Sequence, residues 1–285
     1  FQSNGGFTSK LFGKKFGGTF GIMYNRSFRN LDLLNRANVI DENTYEVSIV
    51  SSYNDRKYQQ EISAGALGSV SLQLNSFNKI SVKSILNINS SNSVSQRNGE
   101  DFSRQDQLKG SEFTFKQNTF FTVQANGEHR LIKPLTFKWY GAFNILDGHI
   151  PDQRRILYSK EAGTQHPYRL LISNTLSQQS GSRIYQSLSD YIYTAGGDLS
   201  YKFKWLEQNQ TLKGGYMLQV KDRLYDAKLF ANYLPLDNDA LRLLPADQIF
   251  LPENFGDGTA NKFAFNAIKG NTFRYLANTI LNAGF

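Results

Sequence analysis

The sequence contains no cysteine, which removes disulfides and thiol chemistry from consideration. Histidine is nearly absent: His129, His149 and His166 are the three, and none stands at metal-pair spacing from another. Proline is scarce, with 6 residues, and no low-complexity tract divides the chain, so no domain boundary is visible and residues 1–285 read as one unit. No apolar run reaches the length of a membrane-crossing helix, which excludes a helical membrane protein. Walker loop, nucleophile elbow and dinucleotide fingerprint are all missing, so no enzyme activity, catalytic residue or cofactor is expected. The formal charge is +8, but Lys and Arg are scattered and form no stripe or arm, so nucleic acid is not an expected partner. Phe1-Gln2-Ser3 shows no signal peptide, so an exported protein would have lost its leader or be seen here in part.

What the chain does have is alternation with a period of two. Phe16, Gly18, Phe20, Ile22 and Tyr24 alternate with Gly17, Thr19, Gly21, Met23 and Asn25. Leu135, Phe137, Trp139, Gly141, Phe143 and Ile145 alternate in the same way with Thr136, Lys138, Tyr140, Ala142 and Asn144. One apolar and one polar face is the signature of an antiparallel sheet. Strands are expected at 16–28, 58–75, 80–90, 112–128, 135–147, 183–205, 211–233 and 270–285. The segment 45–53 also alternates and is expected to pair with 58–62 in a hairpin turning at Asn54 and Asp55. Leu218 falls with Phe20, Phe137 and Phe143 on the apolar face; Ala64, Ala66, Gly68, Ala195 and Gly197 join it as small residues that permit curvature. Glu61, Lys83, Lys116, Glu128, Lys138, Asp198, Lys202 and Lys213 fall on the other, where ionised groups need water or a polar plug.

The connections decide where the apolar face is buried. Short ones at 76–79, 129–134 and 206–210 interleave with long polar ones at 91–110, 148–182 and 235–270, so all short turns fall at one rim and all long loops at the other. This is the asymmetry of an outer-membrane barrel, and structureless loops of such length count against a soluble sandwich. Aromatic residues are frequent (22 Phe, 15 Tyr, 2 Trp) and cluster at strand ends, as with Tyr201, Phe203 and Trp205, or Tyr24 and Phe28. Interfacial girdles explain that placement; cross-strand packing in a soluble sheet is the competing explanation. The expected fold is therefore all-β, an antiparallel up-and-down transmembrane β-barrel. The chain opens without a recognisable terminal strand and ends at Phe285 in mid-alternation. With Phe273, Tyr275, Ala277, Thr279 and Leu281 taken as outward-facing, it reads as part of a wider wall.

Five short motifs add a resemblance. They are Asn78-Lys79-Ile80-Ser81-Val82-Lys83, then Pro151-Asp152-Gln153-Arg154-Arg155 with Tyr158, then Leu212-Lys213-Gly214-Gly215-Tyr216 with Lys221-Asp222-Arg223, then Pro252-Glu253-Asn254-Phe255-Gly256, and Tyr275-Leu276-Ala277. In this order the chain resembles TonB-dependent receptors, in particular the group carrying an N-terminal carboxypeptidase-regulatory-like domain. The resemblance implies a barrel of about 22 strands plugged by an N-terminal domain, importing a nutrient across the outer membrane of a Gram-negative bacterium. It implies outer-membrane lipid, lipopolysaccharide, a TonB complex reached through the plug, and a surface lipoprotein or envelope-complex subunit as partners. Plug, TonB box and regulatory-like domain are not found in this sequence. A structural or assembly barrel within an envelope complex is the alternative function.

The residues leave the substrate site unknown. Asp237-Asn238-Asp239 and Asp257-Gly258-Thr259 offer oxygens of the kind calcium accepts, but neither completes a calcium loop, and turn chemistry accounts for both. Pro151–Arg155 is expected to anchor the base of a long loop through guanidinium–carboxylate pairs, with substrate contact as the sharper alternative.

Overall fold

The computed structural model describes residues 1–178, 180–258, 261–270 and 273–285. It is an all-β chain built on one antiparallel sheet. The strands in order are β1 (Gln2–Leu11), β2 (Lys14–Ile40), β3 (Val47–Asn75), β4 (Asn78–Asp101), β5 (Asp106–Ile132), β6 (Leu135–Glu161), β7 (Arg169–Leu170), β8 (Ser182–Trp205), β9 (Gln208–Tyr233), β10 (Ala264–Ile268) and β11 (Arg274–Gly284). Neighbours in sequence are neighbours in space from β1 to β6, and β8 and β9 continue the meander. The pair β7 lies against β6, whereas β10 and β11 both pair with β9. β10 and β11 run along β9 one after the other, their register on it offset between Ile268↔Leu229 and Arg274↔Asp226. A four-residue helix α1 (Asp239–Arg242) and a 3-10 turn (Pro252–Asn254) are the helical elements among the described residues.

The sheet is open. Among the described residues β1 and β11 each pair with a single neighbour and not with each other. The strands are also longer than the alternation suggested: β2, β5 and β6 have 27 residues each and β3 has 29. At about 3.3 Å per residue, 29 residues run roughly 95 Å along the strand.

That length corrects three expectations. The 91–110 connection is mostly strand, with its turn confined to 102–105 and Gln105 at φ 57. Asn54 and Asp55 do not turn the chain; they sit inside β3, opposite Leu34 and Leu33 on one side and Asn98 and Arg97 on the other. The turn is displaced to 41–46, where the Asp41 carboxylate accepts from the backbone of Asn43 (2.8 Å) and Thr44 (3.0 Å) and Tyr45 takes φ 55. A first strand also exists: β1 reaches β2 through Phe12 and Gly13, at φ 48 and 75, the left-handed pair that a two-residue hairpin requires. Its Gly5, Gly6 and Ser/Thr positions carry too little apolar signal to stand out in the sequence.

Register fixes the two faces, because residues opposite each other in an antiparallel ladder share a face. One row runs Phe20, Gly68, Ser84, Val123, Phe143, Tyr193, Val220, Ile280. The adjacent row on the same face runs Gly18, Val70, Val82, Ala125, Gly141, Ala195, Leu218. On the opposite face stand Thr19, Ser69, Lys83, Gln124, Ala142, Thr194 and Gln219. Phe20, Phe137, Phe143 and Leu218 therefore share one face, and Thr19, Lys138, Asn144 and Lys213 the other, as the alternation predicted. The last strand departs from expectation. Thr279 lies opposite Lys221 and Tyr275 opposite Tyr225, so the run through Ala277 and Leu281 shares the polar face, and Leu276 and Ile280 carry the apolar one.

The apolar rows begin at the short turns, at 12–13, 76–77, 133–134 and 206–207, and end near Ile62, Ile88, Phe121, Ile145 and Val220. None of the described residues covers them: Phe20 is 54% exposed and Tyr193 50%. The core that does exist lies at the far end of the sheet, where Tyr158, Leu170, Leu234, Ile249 and Phe263 pack the segments after β6 and β9 onto the strands.

Candidate functional site

Two groups of side chains beyond the apolar rows could carry function. The first is a set of ion pairs on the polar face. Arg29 reaches Glu61 at 3.2 Å, and Gln59 ties that carboxylate to Ser91. Arg97 grips Asp55 with two bonds of 2.7 and 2.6 Å and lies over the Tyr53 ring at 4.7 Å. Arg155 places Nε and Nη2 on one Glu112 oxygen, and Gln153 donates to the other. Asp190 is the most enclosed of these carboxylates, 2% exposed, held bidentately by Arg223 and at 2.9 Å by Lys221. Nearer the short turns, Lys138 pairs with Glu128 and Lys213 with Asp198. These pairs satisfy one another, while Lys83, Lys116 and Lys202 stand on the same face outside them, so the face keeps a positive excess.

The second group is built by a break in register. Between Ile150 and Gln153 the pairing of β6 with β8 shifts by one residue, and its pairing with β5 breaks between Phe113 and Gln117. Pro151 supplies the cause: it has no N–H to give a ladder, so it is tolerated at a bulge. One extra residue in β6 inverts every side chain beyond it. Below the bulge the odd residues of β6 face the apolar side; above it Arg154, Ile156 and Tyr158 do, while Gln153 and Arg155 turn to the polar side with Glu112. Pro151–Arg155 is thus split between the two faces. The connection expected at 148–182 starts only after Glu161, so this run lies within β6 and not at a loop base; its charges are paired, with partners that the motif alone did not indicate. Arg183 makes a fork on Asp152 (3.1 and 2.6 Å), and Arg154 Nε donates to the same carboxylate at 2.6 Å. Burial disfavours the ionised Asp152; the hydrogen bonds and charges of Arg183 and Arg154 outweigh it and hold its pKa below the usual carboxylate value.

The loop segments close over this bulge. Gly181 enters β8 at φ 68, and a Cβ there would stand 3.2 Å from both Asn232 and Phe250, so the approach suits glycine. Its N–H donates to the Arg155 carbonyl and its carbonyl accepts from Asn232. Tyr158 donates its hydroxyl to the Leu244 carbonyl at 2.9 Å, and burial, with the Asp247 charge adding, pushes its pKa up to about 12.

Among the described residues no three His, Cys, Asp or Glu side chains gather. Asp237 and Asp239 pair with Arg169, Asp237 also holds Arg242, and Asn238 caps α1. Of Asp257-Gly258-Thr259, Thr259 lies outside the described residues. His129 is engaged in a side-chain relay with Asn78 (2.7 Å) and Trp139 (3.0 Å) near the short turns. No protein-family profile, curated protein or solved structure matches the chain.

Proposed function

We propose that this chain is part of the wall of an outer-membrane β-barrel that imports a nutrient in the manner of TonB-dependent receptors. The apolar rows face lipid, the polar face lines a wet or plugged interior, and the short turns lie on the periplasmic side. One observation carries the reading: contiguous apolar rows on a single face, uncovered by the chain and bounded on one side by short turns. Their height, from Leu135 to Ile145 on β6, agrees with the roughly 9–11 residues of a tilted membrane-crossing strand. In water such a surface would be an aggregation hazard; in a bilayer it is solvated by lipid. Aromatic residues at the lower margin, with Tyr201 and Phe203 stacked at 6.1 Å and Trp205 65% exposed, fit the interfacial girdle. The two free sheet edges require strands from further chain or another protein, since unpaired backbone groups are costly in hydrocarbon.

The test places a tryptophan at Phe143 or at Asn144 in a background where Trp139 and Trp205 are phenylalanine. Brominated acyl chains should quench the first and leave the second bright; equal quenching at both positions overturns the wall assignment. A structural barrel would have the same faces, so transport is tested separately. Substitutions of Arg97 and Arg155 on the polar face should alter nutrient-dependent growth in a transporter and leave it unchanged in an assembly subunit.

A further inference from the structure

We infer that the groove above the Pro151 bulge is a binding site for an amphipathic monoanion: an apolar body of drug-like size carrying one carboxylate, sulfonate or phosphate. The groove encloses about 900 Å³ and lies on the same side of the sheet as the apolar rows, beyond their upper limit. That volume is within the range of pockets that take small organic ligands, about 300–1,000 Å³. Its walls come from separate segments: Phe113 and Phe115 from β5, Phe250 and Phe255 from the segment after β9, and Phe265 from β10. Ring faces converging from distinct elements suit a flat or branched apolar body.

The charge requirement comes from Arg154. Its Nε is committed to Asp152, but its two terminal nitrogens have no partner among the described residues, and its side chain is 62% exposed. Arg183 already occupies Asp152 with both of its bonding nitrogens, and Arg155 is bound to Glu112. At the bulge, then, two guanidinium groups share one carboxylate, leaving Arg154 with a pair of donors directed by a fixed Nε bond. A guanidinium so oriented recognises a planar or tetrahedral oxyanion with two parallel N–H bonds. Asp247 lines the groove from the loop side and opposes a second anionic group, hence a monoanion. Without the bulge Arg154 would point to the other face, so the irregularity in β6 has a functional as well as a topological consequence. The site lies on the face opposite the proposed transport path, and its occupancy does not depend on transport.

Pyrenebutyrate is the anionic probe and pyrenebutanol its neutral counterpart, titrated against the purified protein in the nanodisc or buffer in which it stays monodisperse. Anisotropy should rise saturably with pyrenebutyrate, above the background of the medium alone. Arg154→Gln should weaken that binding at least tenfold, Arg154→Lys should recover part of it, and pyrenebutanol should bind weakly and equally to all three. Leu251→Trp, which narrows the groove from the loop, should weaken both probes. No saturable binding, equal affinity for the two probes, or indifference to Arg154→Gln each overturns the inference. The tryptophan quenching at Phe143 and Asn144 reports on the membrane wall independently, so loss of one result leaves the other standing.

Discussion

The half of the sheet next to the short turns and the half beyond it obey different rules, although the same strands run through both. In the first half the ladders keep their register except beside the short turns, at Gln73/Asn75 and Arg130/Ile132, and no large apolar side chain is buried among the described residues. In the second, Leu108, Tyr158, Leu170, Leu229, Leu234, Ile249 and Phe263 are buried, and β6 breaks register on both sides. The first half leaves its apolar surface uncovered among the described residues; the second makes a small core of its own. A single strand such as β6 therefore leaves its apolar face uncovered over its first part and packs against the chain further along, and the Pro151 bulge lies beyond that change.

The largest effect that would break this comparison is a charge in the first half. Phe143→Arg puts a guanidinium on the apolar face and should destabilise by about 2–4 kcal/mol near the bilayer midplane. Asn144→Arg, one residue on, should be tolerated on the polar face. Denaturant unfolding in lipid vesicles measures both, and equal costs would erase the distinction between the faces.

In the second half the effects are those of satisfied polar groups. Asp152→Asn removes the anion from between Arg183 and Arg154 and should cost about 1.5–3 kcal/mol, the range for hydrogen bonds to charged groups. Because the folded pKa of Asp152 is depressed, its contribution is complete above the unfolded carboxylate value near about 4 and is lost as pH falls through the lower folded value. Protection from hydrogen exchange at 180–183, taken relative to the intrinsic rate at each pH, should fall on acidification in the wild type and be low already at neutral pH in Asp152→Asn.

Tyr158→Phe comes next, with about 0.5–1.5 kcal/mol for one neutral hydrogen bond to the Leu244 carbonyl. Its raised pKa gives the opposite pH dependence. The contribution of the neutral hydroxyl is complete below the ordinary tyrosine value of about 10 and disappears as pH rises through about 12. Proteolysis of 234–250 as a function of alkaline pH should show a transition in the wild type that the phenylalanine variant lacks.

The first half was legible in the sequence because its physics is local: alternation names the face, and Phe137 against Lys138 needs no tertiary knowledge. The second half was legible only in part. Polar composition at 91–110 looked like loop, yet Arg97 with Asp55 and Gln107 with Glu100 are cross-strand contacts that stabilise strands in water. Asn54-Asp55 has turn chemistry, but the ladder from Tyr53 to Arg56 overrode it. The turn at Leu206 and Glu207 was expected, while its left-handed φ values of 48 and 64 could not be inferred from residues that rarely adopt them. Pro151 was singled out for its motif, and the inversion it imposes on Arg154 and Arg155 became visible only in the pairing.

The smallest effect separates a pair that is merely present from one that holds structure. Arg56 donates to Asp32 at 2.9 Å on the apolar side of the long β2–β3 hairpin, with side chains 62% and 79% exposed. Geometry alone would rank it with Arg183–Asp152. Solvent screening and the entropy of two free side chains cancel most of its Coulomb gain, whereas Asp152 is only 18% exposed and receives two guanidinium groups. Arg56→Gln should therefore leave the unfolding midpoint unchanged within error at both low and high salt. A clear, salt-sensitive loss would mean that this hairpin is covered in the assembled protein, and that the second half continues its water-soluble style of packing onto a neighbour.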